Sequence, residues 1–405
     1  MPVLQEEAMI ARPKYLEYLN RFAGKKIIKV LTGARRSGKS TILSQFAQSL
    51  RAEGVAAQCI QFINFEDLEN ERLLEYHALH DHVVNHLVSD KMNFIFLDEV
   101  QRVADFEKAV DSLYIRDNVD VYLTGSNAHM LSGELATLLS GRYVEVEVYP
   151  LSFKEYARYQ QSTFGLSLET AFDRYLRYGG FPYATQIAEE RSLRMYVEGV
   201  VDTVLVKDVM LRRQRSDAEL ITRIATFLAD SSGSYVTIKK IADTLTSQGR
   251  KTTSDTVSGY VDALQQAFLF YRAQRYDVAG KRHLESNAKY YPVDPGIRFA
   301  LLGNRRPNRG HLLEAIVYME LRRRGYDVSV GNLASREVDF VAQAEGKTVY
   351  LQVTTSLADE QVYEREVSIF KKIPDNYPKL ILSEDKGLYD DQGITQMNII
   401  DWLLD

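Results

Sequence analysis

The chain has little of what secreted and membrane proteins usually carry. Cys59 is the single cysteine among 405 residues, which excludes a disulfide within the chain and indicates a reducing compartment. No apolar run approaches the roughly 20 residues that cross a bilayer. The first residues also lack the basic start and apolar stretch of a signal peptide. These absences predict a cytoplasmic protein.

Excess charge of either sign is also small. The 50 Lys and Arg residues against 55 Asp and Glu give a formal net charge of −5. This balance exerts no overall attraction on nucleic acid or on an anionic membrane, so any site for a polyanion must be a local patch. Hydrophobic residues at 45% and charged residues at 26% are ordinary for a globular protein, and the length predicts two or three domains.

What the chain does have is a glycine-rich stretch, GARRSGKS at residues 33–40, with the pattern G-x-x-x-x-G-K-[ST]. A β-branched run precedes it and apolar residues at helical spacing follow it, which predicts strand, loop and helix. The loop N–H groups and the helix N-terminus can then hold phosphates, with Lys39 on the β- and γ-phosphates and Ser40 on Mg²⁺. The predicted nucleotide-binding residues here are Gly33, Ala34, Arg35, Arg36, Ser37, Gly38, Lys39, Ser40 and Thr41.

Two adjacent carboxylates, Asp98 and Glu99, end an apolar run that begins at residue 93. At the carboxyl edge of a strand they can divide the work, because Asp98 can hold Mg²⁺ with Ser40 while Glu99 polarises the attacking water. A solvated loop is the alternative for an Asp-Glu pair alone. Their position after the glycine-rich loop favours the metal site, and Glu99 favours hydrolysis over binding alone.

Polar residues next to two further predicted strands complete the candidate site. Thr124 and Ser126 follow the run at residues 119–123, where a hydroxyl can sense the γ-phosphate; a plain turn is the alternative. Arg142 precedes the run at residues 143–148, and an arginine from a neighbouring subunit can offset charge on the transferred phosphoryl group. That role requires an oligomer; otherwise Arg142 is a surface arginine. The predicted catalytic residues are Lys39, Glu99 and Arg142.

Together these motifs resemble an AAA+-type ATPase of the prokaryotic branch related to STAND and archaeal ATPases. The resemblance implies ATP as the nucleotide, Mg²⁺ as the metal, and a helical lid whose Gly-Gly-x-Pro segment packs near the base. A helix C-cap is the plain alternative for Gly179 and Gly180. Beyond the glycine-rich loop, the motifs that carry the resemblance are FLDEVQ at 96–101, LTGS at 123–126, SGRY at 140–143, YPLSF at 149–153, YGGFP at 178–182 and YYPVDPG at 290–296.

The predicted fold class is α/β, since segments of strand and helix alternate along the chain. A parallel P-loop sheet is expected in residues 1–150 and a helical lid in residues 151–215. The resemblance adds a winged helix at 216–284 and a small α/β domain similar to PD-(D/E)xK nucleases at 285–405.

The order of helices and a β-ribbon in residues 216–284 fits a winged helix, which binds DNA in some proteins and contacts protein in others. The basic side chains suited to phosphate contacts are Lys251, Arg272, Arg275, Lys281 and Arg282.

The C-terminal region departs from the nuclease pattern. Glu314 and Asp339 match its first two acidic positions, but Gln352 stands in place of the glutamate and Thr354 in place of the lysine. These losses leave thin support for a metal and no cation near a nucleophile. We therefore predict that this domain does not cleave nucleic acid.

The leading hypothesis is an ATPase that couples its ATP state to DNA or to a DNA-bound partner. A STAND-like nucleotide switch that recruits a protein partner is the second hypothesis, and an ATP-gated, metal-dependent nuclease is the third. A homo-oligomer or a protein partner is compatible with each of them, and no membrane is expected.

Overall fold

The computed structural model describes residues 10–128, 139–210, 217–303, 305, 308–333, 336–391 and 393–405. Residues 1–9, in which no signal peptide was predicted, and residues 211–215 of the predicted lid lie outside the described residues. The chain divides into two compact units, which are Met1–Tyr149 with Gln266–Phe268, and Pro150–Gln265 with Leu269–Asp405. Among the residues described, no helix is both long enough and apolar enough to cross a membrane.

The first unit contains a five-stranded sheet of order β2-β3-β4-β1-β5 in which every pairing is parallel. The three central strands are buried along their whole length, as expected when helices cover both faces. The strands are β1 (Ile28–Thr32), β2 (Ile60–Asn64), β3 (Asn93–Asp98), β4 (Val119–Thr124) and β5 (Tyr143–Glu147). This sheet confirms the predicted α/β fold of a P-loop protein.

Helices pack on both faces of this sheet because successive strand residues point to opposite sides. Val30 belongs to one apolar cluster and Leu31 to the other. The helices α1 (Pro13–Phe22) and α2 (Lys39–Ala52) contribute to the cluster of Leu31, and α3 (Tyr76–Asn85) and α4 (Phe106–Ile115) contribute to that of Val30.

The second unit begins with helices, in the region where a helical lid was predicted. Ser152 and Glu155 form a capping box at the first of them, which fixes its start. The helices are α5 (Phe153–Phe164), α6 (Leu168–Tyr178), α7 (Pro182–Thr185), α8 (Glu190–Thr203), α9 (Ala218–Asp230), α10 (Ile238–Ser247), α11 (Ser254–Gln266), α12 (Pro295–Leu302), α13 (Arg309–Arg323), α14 (Glu360–Phe370) and α15 (Ile399–Leu404). A π-helical stretch, Val204–Met210, continues α8.

An eight-stranded sheet of order β12-β13-β11-β10-β9-β8-β6-β7 completes the second unit. Its strands are β6 (Phe270–Asp277), β7 (Arg282–Pro292), β8 (Asp327–Leu333), β9 (Arg336–Ala344), β10 (Lys347–Val353), β11 (Lys379–Ser383), β12 (Leu388–Asp391) and β13 (Ile394–Asn398). Strands β9 and β10 form an antiparallel hairpin. Strand β6 pairs with β8 in parallel, so the ribbon assigned to a winged helix shares one sheet with the C-terminal strands, and residue 284 falls inside β7.

The Gly-Gly segment after α6 is held by a buried carboxylate. The backbone N–H of Gly180 donates to Asp294 Oδ2 at 2.7 Å, and that of Gly296 donates to Oδ1 at 2.8 Å. Gly179 has φ +77°, and a Cβ there would lie 1.6 Å from Asp294 Oδ1, so both conformation and space require glycine. Burial raises the pKa of Asp294 to about 7, although the N–H bonds oppose that rise.

Candidate functional site

The glycine-rich loop connects β1 to α2 with backbone shapes that glycine permits. Gly38 has φ +100° where it caps α2, and Gly33 has φ +129° directly after β1. A Cβ on Gly33 would lie 2.2 Å from the carbonyl oxygen of Val148, so a larger residue would displace the chain that follows β5. The loop therefore leads into the N-terminus of α2, where backbone N–H groups favour the binding of anions.

The Lys39 side chain is buried and bonded to the loop itself. Its Nζ donates to the carbonyl oxygens of Gly33 and Ala34, each at 3.0 Å. Neutral carbonyls hold an ammonium less strongly than a charged acceptor does, so phosphate oxygens can replace them. Of the other predicted loop residues, Arg35 pairs with Glu66 at 3.1 Å. The predicted loop residues that face solvent are Arg36, Ser40 and Thr41.

Asp98, at the end of β3, lies beside Ser40, with which it was predicted to share a metal ion. Ser40 Oγ donates to Asp98 Oδ1 at 2.9 Å, and Thr124 Oγ1 donates to the same oxygen at 2.6 Å. Within the described part of the chain, the other oxygen, Oδ2, is buried and has no hydrogen-bond partner. Burial raises the pKa of Asp98, and the two hydroxyl donors oppose that rise. A bare carboxylate oxygen next to a serine hydroxyl fits the oxygen donor set that Mg²⁺ takes.

Glu99 is buried and has a left-handed backbone with φ 57°. Its N–H donates to Thr124 Oγ1 at 2.8 Å, so one hydroxyl joins the backbone of Glu99 to the side chain of Asp98. Its carboxylate Oε2 accepts from Gln101 Nε2 at 2.6 Å and from Ser126 Oγ at 3.3 Å. The sequence reasoning missed Gln101, although a polar amide two residues beyond Glu99 was a visible signal.

Arg142 lies apart from these residues. Its carbonyl accepts from the N–H of Ile28 at the start of β1, whereas the glycine-rich loop follows the other end of that strand. The length of β1 separates the two places by about 13 Å. The guanidinium pairs with Asp111 and lies over the ring of Tyr114, 5.5 Å from its centroid. The structure therefore does not bring Arg142 to the nucleotide residues of its own chain.

Comparison with known proteins agrees with this geometry. A sequence family described as "AAA domain" matches residues 25–157, and one described as a domain of unknown function (DUF8612) matches residues 169–308. A Haemophilus influenzae protein, called uncharacterized, is 39% identical over 405 residues that cover 98% of this chain and 99% of the relative. The chain belongs to the AAA+ P-loop ATPases.

Two further relatives of this AAA+ protein come from archaea. An uncharacterized protein of Methanocaldococcus jannaschii is 28% identical over 397 residues, covering 92% of this chain and 85% of the relative. The solved structure of a Walker-type ATPase of Pyrococcus abyssi is 16% identical and has a TM-score of 0.51, covering 73% of this chain and 97% of that structure. At such low identity the structural likeness concerns the fold alone.

Arg12 is a second residue that the sequence reasoning missed in this AAA+ unit. Its Nη1 donates to the carbonyl oxygens of Ser37 at 3.0 Å and Tyr149 at 2.9 Å, and its guanidinium lies 4.6 Å from the ring centroid of Tyr15. The side chain thus joins the start of α1 to the glycine-rich loop and to the chain beyond β5. A lone arginine before a proline carries no sequence signal for such a contact.

The second unit holds a separate polar cavity of about 740 Å³. Lys289 of β7 lies beside its carboxylates, where Nζ donates to Glu314 Oε2 at 3.1 Å and to Glu337 Oε1 at 2.6 Å. Burial disfavours the charge of Lys289, yet these carboxylates and Asp339 outweigh burial and raise its pKa above the ordinary value. The sequence pattern pointed to position 354 for a lysine, where Thr354 stands, whereas the ammonium beside these carboxylates comes from another strand, β7.

The two departures from the nuclease pattern have defined structural roles. Gln352 Oε1 accepts from the N–H of Asp339 at 2.7 Å, and its Nε2 donates to Glu366 Oε2 at 2.8 Å, so the amide joins β9, β10 and α14. Thr354 Oγ1 donates to the carbonyl of Ser356 at 3.4 Å. In the described ranges, no group of three or more His, Cys, Asp or Glu side chains is arranged to hold a metal ion.

Proposed function

We propose that this AAA+ protein binds ATP with Mg²⁺ at the glycine-rich loop and hydrolyses it. The observation that carries the proposal is the asymmetry of Asp98. Two hydroxyls donate to its Oδ1, while Oδ2 is buried without a donor among the described residues. When bound, Mg²⁺ offsets the charge of the phosphates and of the carboxylate. Ser40 and Asp98 are the residues that hold it.

The roles of the protein groups follow from their contacts. Lys39 exchanges the carbonyls of Gly33 and Ala34 for phosphate oxygens, while the N-terminus of α2 presents its N–H groups to the same anion. Glu99 orients the attacking water and accepts its proton, and Gln101 fixes the direction of that carboxylate. Thr124 positions Asp98 and Glu99 relative to each other, which is a different role from direct contact with the γ-phosphate.

Arg142 has a place in this proposal only in an oligomer. It stands at the end of the sheet away from its own loop, and its side chain is 43% exposed despite the pairing with Asp111. A neighbouring copy can therefore receive it, and its charge then offsets that of the transferred phosphoryl group.

DNA coupling is the finer part of the proposal and rests on exposed cations of the second unit. Arg275 is not among them, since it is half-buried, donates to Asn332 Oδ1 at 2.9 Å and lies over Tyr235. Of the predicted set, the exposed basic side chains that remain for phosphate contacts are Lys251, Arg272, Lys281 and Arg282.

Steady-state ATP hydrolysis, measured on wild type and on Glu99→Gln, tests the proposal. We expect Glu99→Gln to bind ATP as wild type does and to lose turnover by roughly 10²- to 10⁴-fold, the usual contribution of a positioned acid–base group. Glu53→Gln, at an exposed position after α2, is the matched control and should retain turnover. Wild-type turnover in Glu99→Gln would remove Glu99 from the mechanism.

The same assay with added DNA, together with a native mass measurement, tests the proposed DNA coupling and the proposed role of Arg142 in an oligomer. We expect DNA to stimulate turnover and Lys281→Glu with Arg282→Glu to abolish the stimulation while DNA-free turnover persists. If Arg142 acts in a neighbour's site, Arg142→Ala lowers turnover of the assembled form and not ATP affinity. Tightly held ADP with negligible turnover would instead identify a nucleotide switch that recruits a protein partner.

A further inference from the structure

Two acidic side chains in the second unit contact one ammonium, and a third, that of Asp339, adds its negative charge. Glu314 comes from α13, Glu337 and Asp339 come from β9, and Lys289 enters from β7 with 2% of its side chain exposed. Lys289 Nζ lies 3.1 Å from Glu314 Oε2 and 2.6 Å from Glu337 Oε1. The ammonium thus contacts two carboxylate oxygens, the kind of ligand that hard metal cations take.

Each carboxylate already has a protein donor. Glu314 Oε2 accepts a second hydrogen bond from Tyr291 Oη at 3.2 Å, and Asp339 Oδ2 accepts from the N–H of Val353 at 2.7 Å. Burial raises the pKa of Glu314 and of Asp339, and the charge of Lys289 opposes that rise. The charge of Lys289 and these N–H and O–H donors therefore stabilise the buried carboxylates, as a bound metal ion would.

Two arginines at the rim of the cavity are directed elsewhere. Arg336 Nη1 donates to Ser368 Oγ at 3.0 Å, and Arg365 Nη2 lies 2.6 Å from Glu366 Oε1. Both partners belong to α14, whereas Lys289 contacts the carboxylates of α13 and β9. Lys289 is therefore the residue to change if the balance of charge in this cluster is to be altered.

The neutral side chain of Gln352 is consistent with Lys289 as the cation that compensates the carboxylates of this cluster. A glutamate there would set a second carboxylate against that of Glu366, because Gln352 Nε2 donates to Glu366 Oε2 while its Oε1 accepts from the backbone N–H of Asp339. One ammonium compensates fewer carboxylates than a divalent cation does, and an unpaired buried carboxylate is costly. Lys289 and Gln352 together therefore suit a cluster without metal.

We propose that Lys289 is a tethered cation that occupies the place of a divalent metal among Glu314, Glu337 and Asp339. The second unit then folds without metal, and loss of the ammonium converts the cluster into a site for a divalent cation. This proposal is independent of ATP hydrolysis, since it concerns another unit of the chain and another set of carboxylates.

Thermal unfolding of the nucleotide-free, full-length protein in EDTA and in Mn²⁺ tests the proposal. We expect Lys289→Met to unfold at a lower temperature than wild type in EDTA and to regain several degrees in Mn²⁺. The control Lys372→Met, which removes an exposed lysine at the rim of the same cavity, should respond to Mn²⁺ as wild type does. The nucleotide site is present in all three proteins, so its own response cancels. Equal Mn²⁺ responses in wild type and Lys289→Met would overturn the proposal.

Two further variants keep the test decisive if Lys289→Met does not fold. Lys289→Gln retains amide donors to the same carboxylates without the charge, and it should show the same gain in Mn²⁺. Addition of Glu337→Gln to either Lys289 variant removes a carboxylate ligand and should abolish that gain. Persistence of the gain would place the Mn²⁺ elsewhere and contradict the proposal.

A direct measurement of Mn²⁺ binding tests whether the cluster excludes a metal while Lys289 is present. In Asp98→Asn, which disables the nucleotide-site metal ligand, titration of nucleotide-free protein with Mn²⁺ should detect no stoichiometric binding. The same titration on Asp98→Asn with Lys289→Met should detect it. Stoichiometric Mn²⁺ binding by Asp98→Asn alone would show that the cluster takes a metal while Lys289 is present, which would overturn the proposal.

Discussion

Lys39 and Lys289 are both buried lysines near carboxylates, and their bonds go to different kinds of acceptor. Lys39 bonds to the neutral carbonyls of Gly33 and Ala34, and two hydroxyls satisfy one oxygen of Asp98. Lys289 bonds directly to carboxylates. At the glycine-rich loop these bonds of Lys39 therefore go to neutral acceptors, whereas around Lys289 the opposite charges neutralise each other in direct contact.

The difference shows that charged residues alone do not define a ligand site. What matters is whether their polar atoms still lack a protein partner that a ligand could replace. A buried carboxylate oxygen without a donor costs about 1–3 kcal/mol, and a cofactor that binds there recovers that cost. Asp98 retains such an oxygen among the described residues. Each carboxylate around Lys289 already has a donor or a cation beside it, so a ligand gains less by binding there.

The largest expected change in stability comes from Lys289→Met. Removal of one partner of a buried ion pair leaves the others uncompensated and typically costs about 3–5 kcal/mol. We expect a loss of that size in the free energy of unfolding, measured in urea without metal, and unchanged ATP affinity. Lys372→Met should remain within about 0.5 kcal/mol of wild type. A loss no larger than that of the control would show that Lys289 is not the cation on which the cluster depends.

Asp294 offers a third case for the comparison, because its buried carboxylate accepts hydrogen bonds from backbone N–H groups and, among the described residues, from no lysine. Its pKa in the folded chain, about 7, lies above that of an ordinary aspartate, about 4. Between about pH 4 and pH 7, Asp294 therefore keeps its proton in the folded state, whereas it has lost that proton in the unfolded chain. The resulting stabilisation is complete below about pH 4 and is lost as the pH rises to about 7.

Replacement of Asp294 by asparagine should remove this dependence on pH. From the difference in pKa we expect the stability of wild type relative to Asp294→Asn to fall by on the order of 3–4 kcal/mol between pH 4 and pH 8. Unfolding in urea across this range measures it. The change of stability with pH that other carboxylates cause is common to both proteins and cancels. Parallel curves for the two proteins would show that Asp294 keeps an ordinary pKa.

Lys39→Ala should produce the reverse of Lys289→Met, a loss of ligand affinity without a loss of stability. A hydrogen bond to a charged group contributes about 1.5–3 kcal/mol, so we expect ATP affinity to fall by roughly 10- to 150-fold. Calorimetric titration measures the affinity, and Lys25→Ala, at an exposed position before β1, is the control. A large loss of stability in Lys39→Ala would mean that both lysines are structural, and the comparison would fail.

The same comparison explains which parts could be predicted from the sequence. The loop at residues 33–40 is contiguous and follows a short apolar run, so local pattern alone located it, and the place of Asp98 and Glu99 at a strand end was predicted in the same way. The described sheet confirms the predicted parallel arrangement around them. Sites built from consecutive residues at strand ends are the kind that pattern reasoning detects.

Lys289 could not be found in this way because pairing of strands distant in the chain brings it to its partners. The nuclease pattern directs attention to position 354 on the chain after β10, where Thr354 stands, whereas the ammonium comes from β7. The pairing of β6 with β8, which carries β7 into this sheet, has no local signal. Arg12 was missed for the same reason, since its partners lie at Ser37 and Tyr149.

The smallest expected effect concerns the orientation of Glu99 within the proposed ATPase site. Gln101 Nε2 donates to Glu99 Oε2 at 2.6 Å, whereas Ser126 Oγ is 3.3 Å away, so the amide is the stronger constraint. Loss of one such bond, about 1 kcal/mol, predicts that Gln101→Ala lowers kcat by roughly fivefold and leaves KM unchanged, with a smaller effect for Ser126→Ala. In the Glu99→Gln background, Gln101→Ala should have little further effect, since residues that act as one unit are not additive. A change in KM alone, or full additivity with Glu99→Gln, would assign Gln101 to nucleotide binding and leave Glu99 positioned by its own backbone.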